Sequence, residues 1–109
     1  HNDARRQRQM CIRDRIGCGA LKFLDPKHGE FKSIRVSDSF RKEGYGNKII
    51  KVLIDKSRKL NIKKISVETG SGEFFLPARK LFKSSGFIEC KPFSHYVDDP
   101  NSCYMSLKL

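Results

Sequence analysis

A chain of 109 residues with 38% hydrophobic content suits one small domain with a modest core. Lys and Arg number 23 against 12 Asp and Glu, a formal net charge of +11, so the natural partners are polyanions: nucleic acid, an anionic surface or a phosphate-rich cofactor. No apolar run nears about 20 residues, which argues against a transmembrane helix and a membrane partner, and no signal-peptide core is visible.

The first fifteen residues stand apart. His1 to Arg15 holds five arginines and no lysine, whereas lysine dominates the remainder. The stretch lacks apolar periodicity and is expected to be a non-native or disordered tail, leaving 16–109 as the domain. Ile16 to Leu24 reads as a strand and Asp25-Pro26-Lys27-His28-Gly29 as a turn. Glu30 to Val36 is a second strand of mixed pattern, making a hairpin with the first. Ser37 to Phe40 leads into a loop, Arg41-Lys42-Glu43-Gly44-Tyr45-Gly46, ahead of a helical run from Asn47 to Leu60. In that run Ile49, Ile50, Leu53 and Ile54 form an apolar stripe opposite a lysine-rich face. Ile62 to Thr69 alternates as a strand. Strand, helix and strand at this spacing predict a crossover between parallel strands.

Gly70-Ser71-Gly72 is a loop. A second helix follows, with Pro77 in its first turn, Ala78, Leu81 and Phe82 inward, and Gly86 just past its end. Phe87 to Cys90 reads as a strand, Lys91 to Ser102 as a turn-rich loop, and Cys103 to Leu109 as a half-buried antiparallel strand. Cys11, Cys18, Cys90 and Cys103 lack zinc-ligand spacing and the histidines are scattered, so no metal site is expected. Free thiols fit a reducing, cytoplasmic setting.

The loop carries the chemistry. Glycines before a helix N-terminus can turn several backbone N–H groups toward one anion, and the helix dipole is positive there. Arg41 and Lys42 add charge at the same place, so a phosphate or pyrophosphate is the natural guest. A P-loop is excluded because no Gly-Lys-Ser/Thr follows, and a dinucleotide fingerprint fails because Ile49 stands where a third glycine is needed.

Arg41-x-x-Gly44-x-Gly46, following Ile34-Arg35-Val36, resembles the acetyl-CoA signature of the GNAT (GCN5-related) N-acetyltransferases. Pro77 to Phe87, ending in Gly86-Phe87, resembles that family's last helix. The resemblance covers roughly Ile16 to Leu109. It implies an α/β (α+β) fold: a GNAT-type mixed central sheet with two helices packed on it, the first strand and first helices missing. It also implies an N-acetyltransferase moving acetyl from acetyl-CoA, a co-substrate, to a primary amine on a small molecule or peptide. Ile34, Val36, Ser37, Arg41, Lys42, Glu43, Gly44, Tyr45, Gly46 and Asn47 would hold the coenzyme, with backbone N–H of Val36 or Ser37 polarising the thioester carbonyl.

Glu30 lies where several members carry a catalytic glutamate and is the candidate general base, with a surface position at a hairpin as the structural alternative. Phe82 stands where many members place the tyrosine that protonates the departing thiolate. Phenylalanine cannot do so. Tyr45, Tyr96 or Tyr104 substitutes, with Tyr96 the catalytic candidate beside Glu30, or no acid is needed. Phe93, His95 and Tyr96 are candidates for the acceptor pocket, or a local packing cluster. Two other readings stay open: a basic nucleic-acid-binding module resting on charge alone, although nucleic acid is not the expected partner, and an inactive CoA-binding fragment. A homodimer is also open.

Overall fold

A computed structural model of the protein describes residues 7–12, 17–36 and 45–109. In chain order the elements are β1 (Gln7–Ile12), β2 (Gly17–Asp25), β3 (His28–Val36), α1 (Tyr45–Lys59), β4 (Lys64–Gly70), a 3-10 turn (Glu73–Phe75), α2 (Leu76–Ser84), β5 (Ile88–Glu89) and β6 (Ser102–Lys108). The strands form a six-stranded sheet in the order β1-β2-β3-β4-β6-β5. β3 and β4 pair in parallel, joined through α1, and the other pairings are antiparallel. This is the mixed sheet with two helices that the sequence predicts.

α1 forms because its apolar stripe falls on one face. Ile49, Ile50 and Leu53 are fully buried, while Asn47, Lys48, Lys51 and Asp55 are exposed. They meet the sheet face formed by Leu21, Phe31, Ile65, Val67 and Met105. Burying each such side chain stabilises by about 1.5–3 kcal/mol. Phe82 of α2 joins this core edge-on to Phe87, at 5.3 Å, so Phe82 packs as a core residue.

Both helices end in the same cap. After α1, Asn61 adopts φ 65°, Ile62 N–H donates to Ser57 O at 3.0 Å and Asn61 N–H to Arg58 O at 3.0 Å. After α2, Gly86 at φ 102° lets Phe87 N–H reach Phe82 O and Gly86 N–H reach Lys83 O. These paired bonds satisfy orphan carbonyls of the last turn.

Two expectations need correcting. Residues 1–15 were expected to stay outside the fold, yet Gln7–Ile12 is an edge strand paired with β2 from Gln7↔Lys22 to Ile12↔Gly17. An antiparallel edge is made by backbone hydrogen bonds, which need no apolar alternation. The strand expected at Phe87 to Cys90 shrinks to Ile88–Glu89, because Phe87 turns into the core.

The mixed pattern of β3 has a cause. From Lys32↔Ala20 to Arg35↔Cys18, β3 advances three residues while β2 advances two. The extra residue is a β-bulge, which bends a strand and exchanges its faces. Glu30 lies on the face away from α1, and unbroken alternation would put Ile34 there too. Ile34 instead packs into the α1-side core, beside Gly19 and Leu53.

Candidate active site

The bulge coincides with a parting of strands. β3 and β4 pair from His28↔Lys64 to Phe31↔Val67 and no further, although β3 runs to Val36 and β4 to Gly70. β4 stays paired with β6 along its whole length. The gap therefore opens on the β3 side, beyond Phe31, and β3's edge toward β4 has no strand partner there among the described residues. A slender polar ligand can enter between the strands and meet that edge.

α1 begins beyond the same end of β3. Its first turn, Tyr45 to Lys48, carries no carboxylate to offset the positive end of the dipole from within the helix. Gly46 is buried and Asn47 exposed. Val36 closes β3 and Tyr45 opens α1. Ile34 packs under α1 rather than lining the gap. Ser37, Arg41, Lys42, Glu43 and Gly44 lie outside the described residues.

On the sheet face away from α1, Glu30 is only 1% exposed. The surface alternative for this residue is therefore set aside. Tyr96 donates its hydroxyl to Glu30 Oε2 at 2.6 Å. Oε1 is buried with no hydrogen-bond partner among the described residues. Ser66 faces Glu30 across the β3–β4 ladder and is fully buried, with its Oγ 2.7 Å from His28 Nε2.

The loop after β5 covers this carboxylate. Phe93 packs edge-on to Tyr96 at 5.2 Å and to Tyr104 at 6.1 Å, and tilts against His28 at 6.1 Å. His95 stacks on Tyr96. Phe93 and His95 thus pack on Tyr96, which alone of the three bonds Glu30, the local aromatic cluster that the sequence allowed beside an acceptor pocket. Tyr104 spends its hydroxyl on Val97 O at 2.8 Å. A tight turn, with Tyr96 N–H donating to Phe93 O and Ser94 at φ 56°, brings Tyr96 back onto the sheet. A non-glycine residue there stores strain of about 1–3 kcal/mol.

The surroundings tune two groups. Burial pushes the Tyr96 phenol above its ordinary value of 10, helped by its hydrogen bond to Glu30 and by the charges of Glu30 and Glu68. Tyr96 is a donor that keeps its proton. Burial lowers His28 below 6.5, with Lys64 adding to the effect against the opposing pull of Asp25 and Glu30.

Sequence reasoning missed the His28–Ser66 pair. His28 looked like a turn residue and Ser66 like the polar side of a strand, and only the strand register joins them. Among the described residues no group of His, Cys, Asp and Glu could hold a metal, and no helix is long and apolar enough to cross a membrane.

Fold and site together are a mixed six-stranded sheet whose two parallel strands part ahead of α1, with a buried carboxylate on the face away from that helix. The chain belongs to the GNAT family of acetyltransferases, whose model matches residues 5–87. It is 47% identical over 93 residues to the uncharacterized N-acetyltransferase YsnE of Bacillus subtilis, an alignment covering 85% of this chain and 62% of that protein. It superposes with a TM-score of 0.88 on a candidate acyl-CoA N-acyltransferase from Klebsiella pneumoniae, at 26% identity, covering 96% of this chain and 74% of that one. A GNAT acetyltransferase from Elizabethkingia anophelis with acetyl-CoA bound shares the fold, at TM-score 0.78 and 20% identity over 99% of this chain and 80% of that one. The chain spans about six tenths of the length of the curated relatives it matches.

Proposed function

We propose that the protein is an acetyl-CoA-dependent N-acetyltransferase, moving the acetyl group to a primary amine of a small molecule or peptide. The observation that carries this reading is the parting of β3 and β4 beyond Phe31 and Val67, ahead of the N-terminus of α1. The residues present fit the coenzyme. The edge of β3 beyond Phe31 suits an amide-bearing arm, and the sequence 41–47, of which Tyr45 to Asn47 open α1 with Gly46 buried, suits a pyrophosphate. In this assignment Ser37 and Arg41, Lys42, Glu43, Gly44, Tyr45, Gly46 and Asn47 bind the coenzyme, alongside the backbone of Ile34 and Val36 toward the end of β3, the Ile34 side chain being held in the core.

Glu30 is the general base. It takes the amine proton, directly or through water, as the amine nitrogen bonds to the acetyl carbon and the C–S bond breaks. Backbone N–H of Val36 or Ser37 polarises the carbonyl. The thiolate leaves without a dedicated acid, since a thiol of pKa about 8.5 is a tolerable leaving group near neutrality. The support for Glu30 is its burial on the sheet face away from α1, with Oε1 lacking a hydrogen-bond partner among the described residues.

A second reading, a CoA-binding chain without turnover, is favoured by Phe82, which packs in the core and has no hydroxyl to protonate a departing thiolate. Calorimetry with CoA and acetyl-CoA, followed by a thiol-release assay over a panel of amines, separates the two. Binding with turnover supports the transferase, and binding alone supports the second reading. No heat from folded protein at millimolar CoA overturns both.

A further inference from the structure

We propose that Tyr96 is a positioning residue for Glu30: by engaging Oε2 it fixes the carboxylate so that Oε1 is the atom presented to the acceptor. The inference rests on the general-base reading of Glu30 and goes beyond it by naming the atom and the residue that selects it. The geometry is specific. The Tyr96 hydroxyl reaches Glu30 Oε2 at 2.6 Å from 66 residues away, while Oε1 is buried without a partner among the described residues. A buried carboxylate oxygen left bare is costly, by about 1–3 kcal/mol or more. A donor arriving during the reaction would relieve that cost, and an amine N–H, or a water carrying its proton, is such a donor.

The placement of Tyr96 is itself built. The turn at Phe93–Tyr96 carries Ser94 in the left-handed region, and Phe93, His95 and Tyr104 hold the Tyr96 ring on three sides. The loop is tied down further along, where Ser71 Oγ donates to Pro100 O at 2.6 Å and Ser102 Oγ to Glu68 Oε2 at 2.7 Å. Tyr104 cannot take over, because its own hydroxyl is bound to Val97 O. The groups facing Tyr96 are Glu30 from β3, Glu68 from β4, Tyr104 from β6 and His95 beside it. The phenol stays protonated through neutral pH, so Tyr96 holds the base without competing for its proton.

Two measurements test this. The first needs no turnover: spectrophotometric titration of the tyrosines in the wild type and Glu30→Gln, with Tyr96→Phe identifying the Tyr96 step. In Glu30→Gln the Tyr96 step should move down by the part that the hydrogen bond and charge of Glu30 supply, while burial keeps it above the ordinary phenol value. An unchanged step means the pair does not exist in solution and overturns the proposal, whether or not the chain is an enzyme. The second is a kinetic double-mutant cycle with an amine that the chain acetylates. Tyr96→Phe keeps the ring contacts, should lower kcat about tenfold or more and leave KM for acetyl-CoA unchanged. Added to Glu30→Gln it should cost nothing further, because Tyr96 acts through Glu30. Losses that multiply in the double variant, or a Tyr96→Phe loss under threefold, overturn the positioning role. A Glu30→Gln loss under threefold overturns the base reading instead, and leaves the titration to decide the pair.

Discussion

Phe31 and Val67 are the last facing pair of the β3–β4 ladder. Both are buried, at 3% and 1% exposure, so the parting of the strands starts from a firm point in the core. Beyond it the amides of 32–36 that point toward β4 lack a strand partner among the described residues, and CoA seated there should cover them. Hydrogen exchange should therefore slow within 32–36 on adding CoA while the α1 interior is unchanged. Uniform slowing across the sheet would place the coenzyme elsewhere.

Glu30→Gln should reduce kcat/KM by about 10²–10⁴-fold with CoA affinity unchanged. Glutamine keeps the shape and removes the basicity, so the packing under Tyr96 survives. The defect should shrink as pH rises, because more of the amine is already neutral. Steady-state rates across pH, with calorimetry for CoA, check both halves.

His28 makes stability depend on pH. Its pKa in the fold lies below the ordinary 6.5, because burial and Lys64 disfavour the imidazolium. Below pH 6.5 the unfolded chain therefore binds this proton more readily than the folded one, and the balance moves toward unfolding. Stability should fall as pH drops from about 6.5 toward the folded value and level off beneath it. At and above neutrality His28 should contribute no slope. His28→Asn should flatten that window in urea titrations at successive pH values.

Leu53→Ala should cost about 2–5 kcal/mol. Leu53 is 1% exposed in the centre of the α1 stripe and lies against Gly19 of β2, where a Cβ would come within 2.8 Å of its Cδ1. Neighbours that close leave little room to collapse into the cavity. Denaturant unfolding should show a lower midpoint with an unchanged slope.

Much of the fold was legible because its signals are local. The stripe Ile49-Ile50-Leu53-Ile54 fixes α1 and its buried face, Pro77 starts α2, and Gly86 ends it. What escaped depends on partners distant in sequence. β1 is held by pairing to β2, and its residues show no alternation of their own. The bulge in β3 appears in the sequence only as a mixed pattern, since one strand cannot reveal what its neighbour omits. Glu30 and Tyr96 could each be named as site candidates. Their hydrogen bond could not, because a loop turn and three aromatic contacts bring them together.

The bulge has a consequence for how the gene can vary. Between Lys32 and Arg35, β3 is one residue longer than its pairing with β2 requires. A codon lost there would restore one-for-one pairing, with Arg35 still opposite Cys18, so the later residues would keep their faces. What would go is the bend that a bulge gives its strand. Substitutions along this segment leave that bend in place and a change of length does not, so β3 should vary in composition among working copies while holding its residue count.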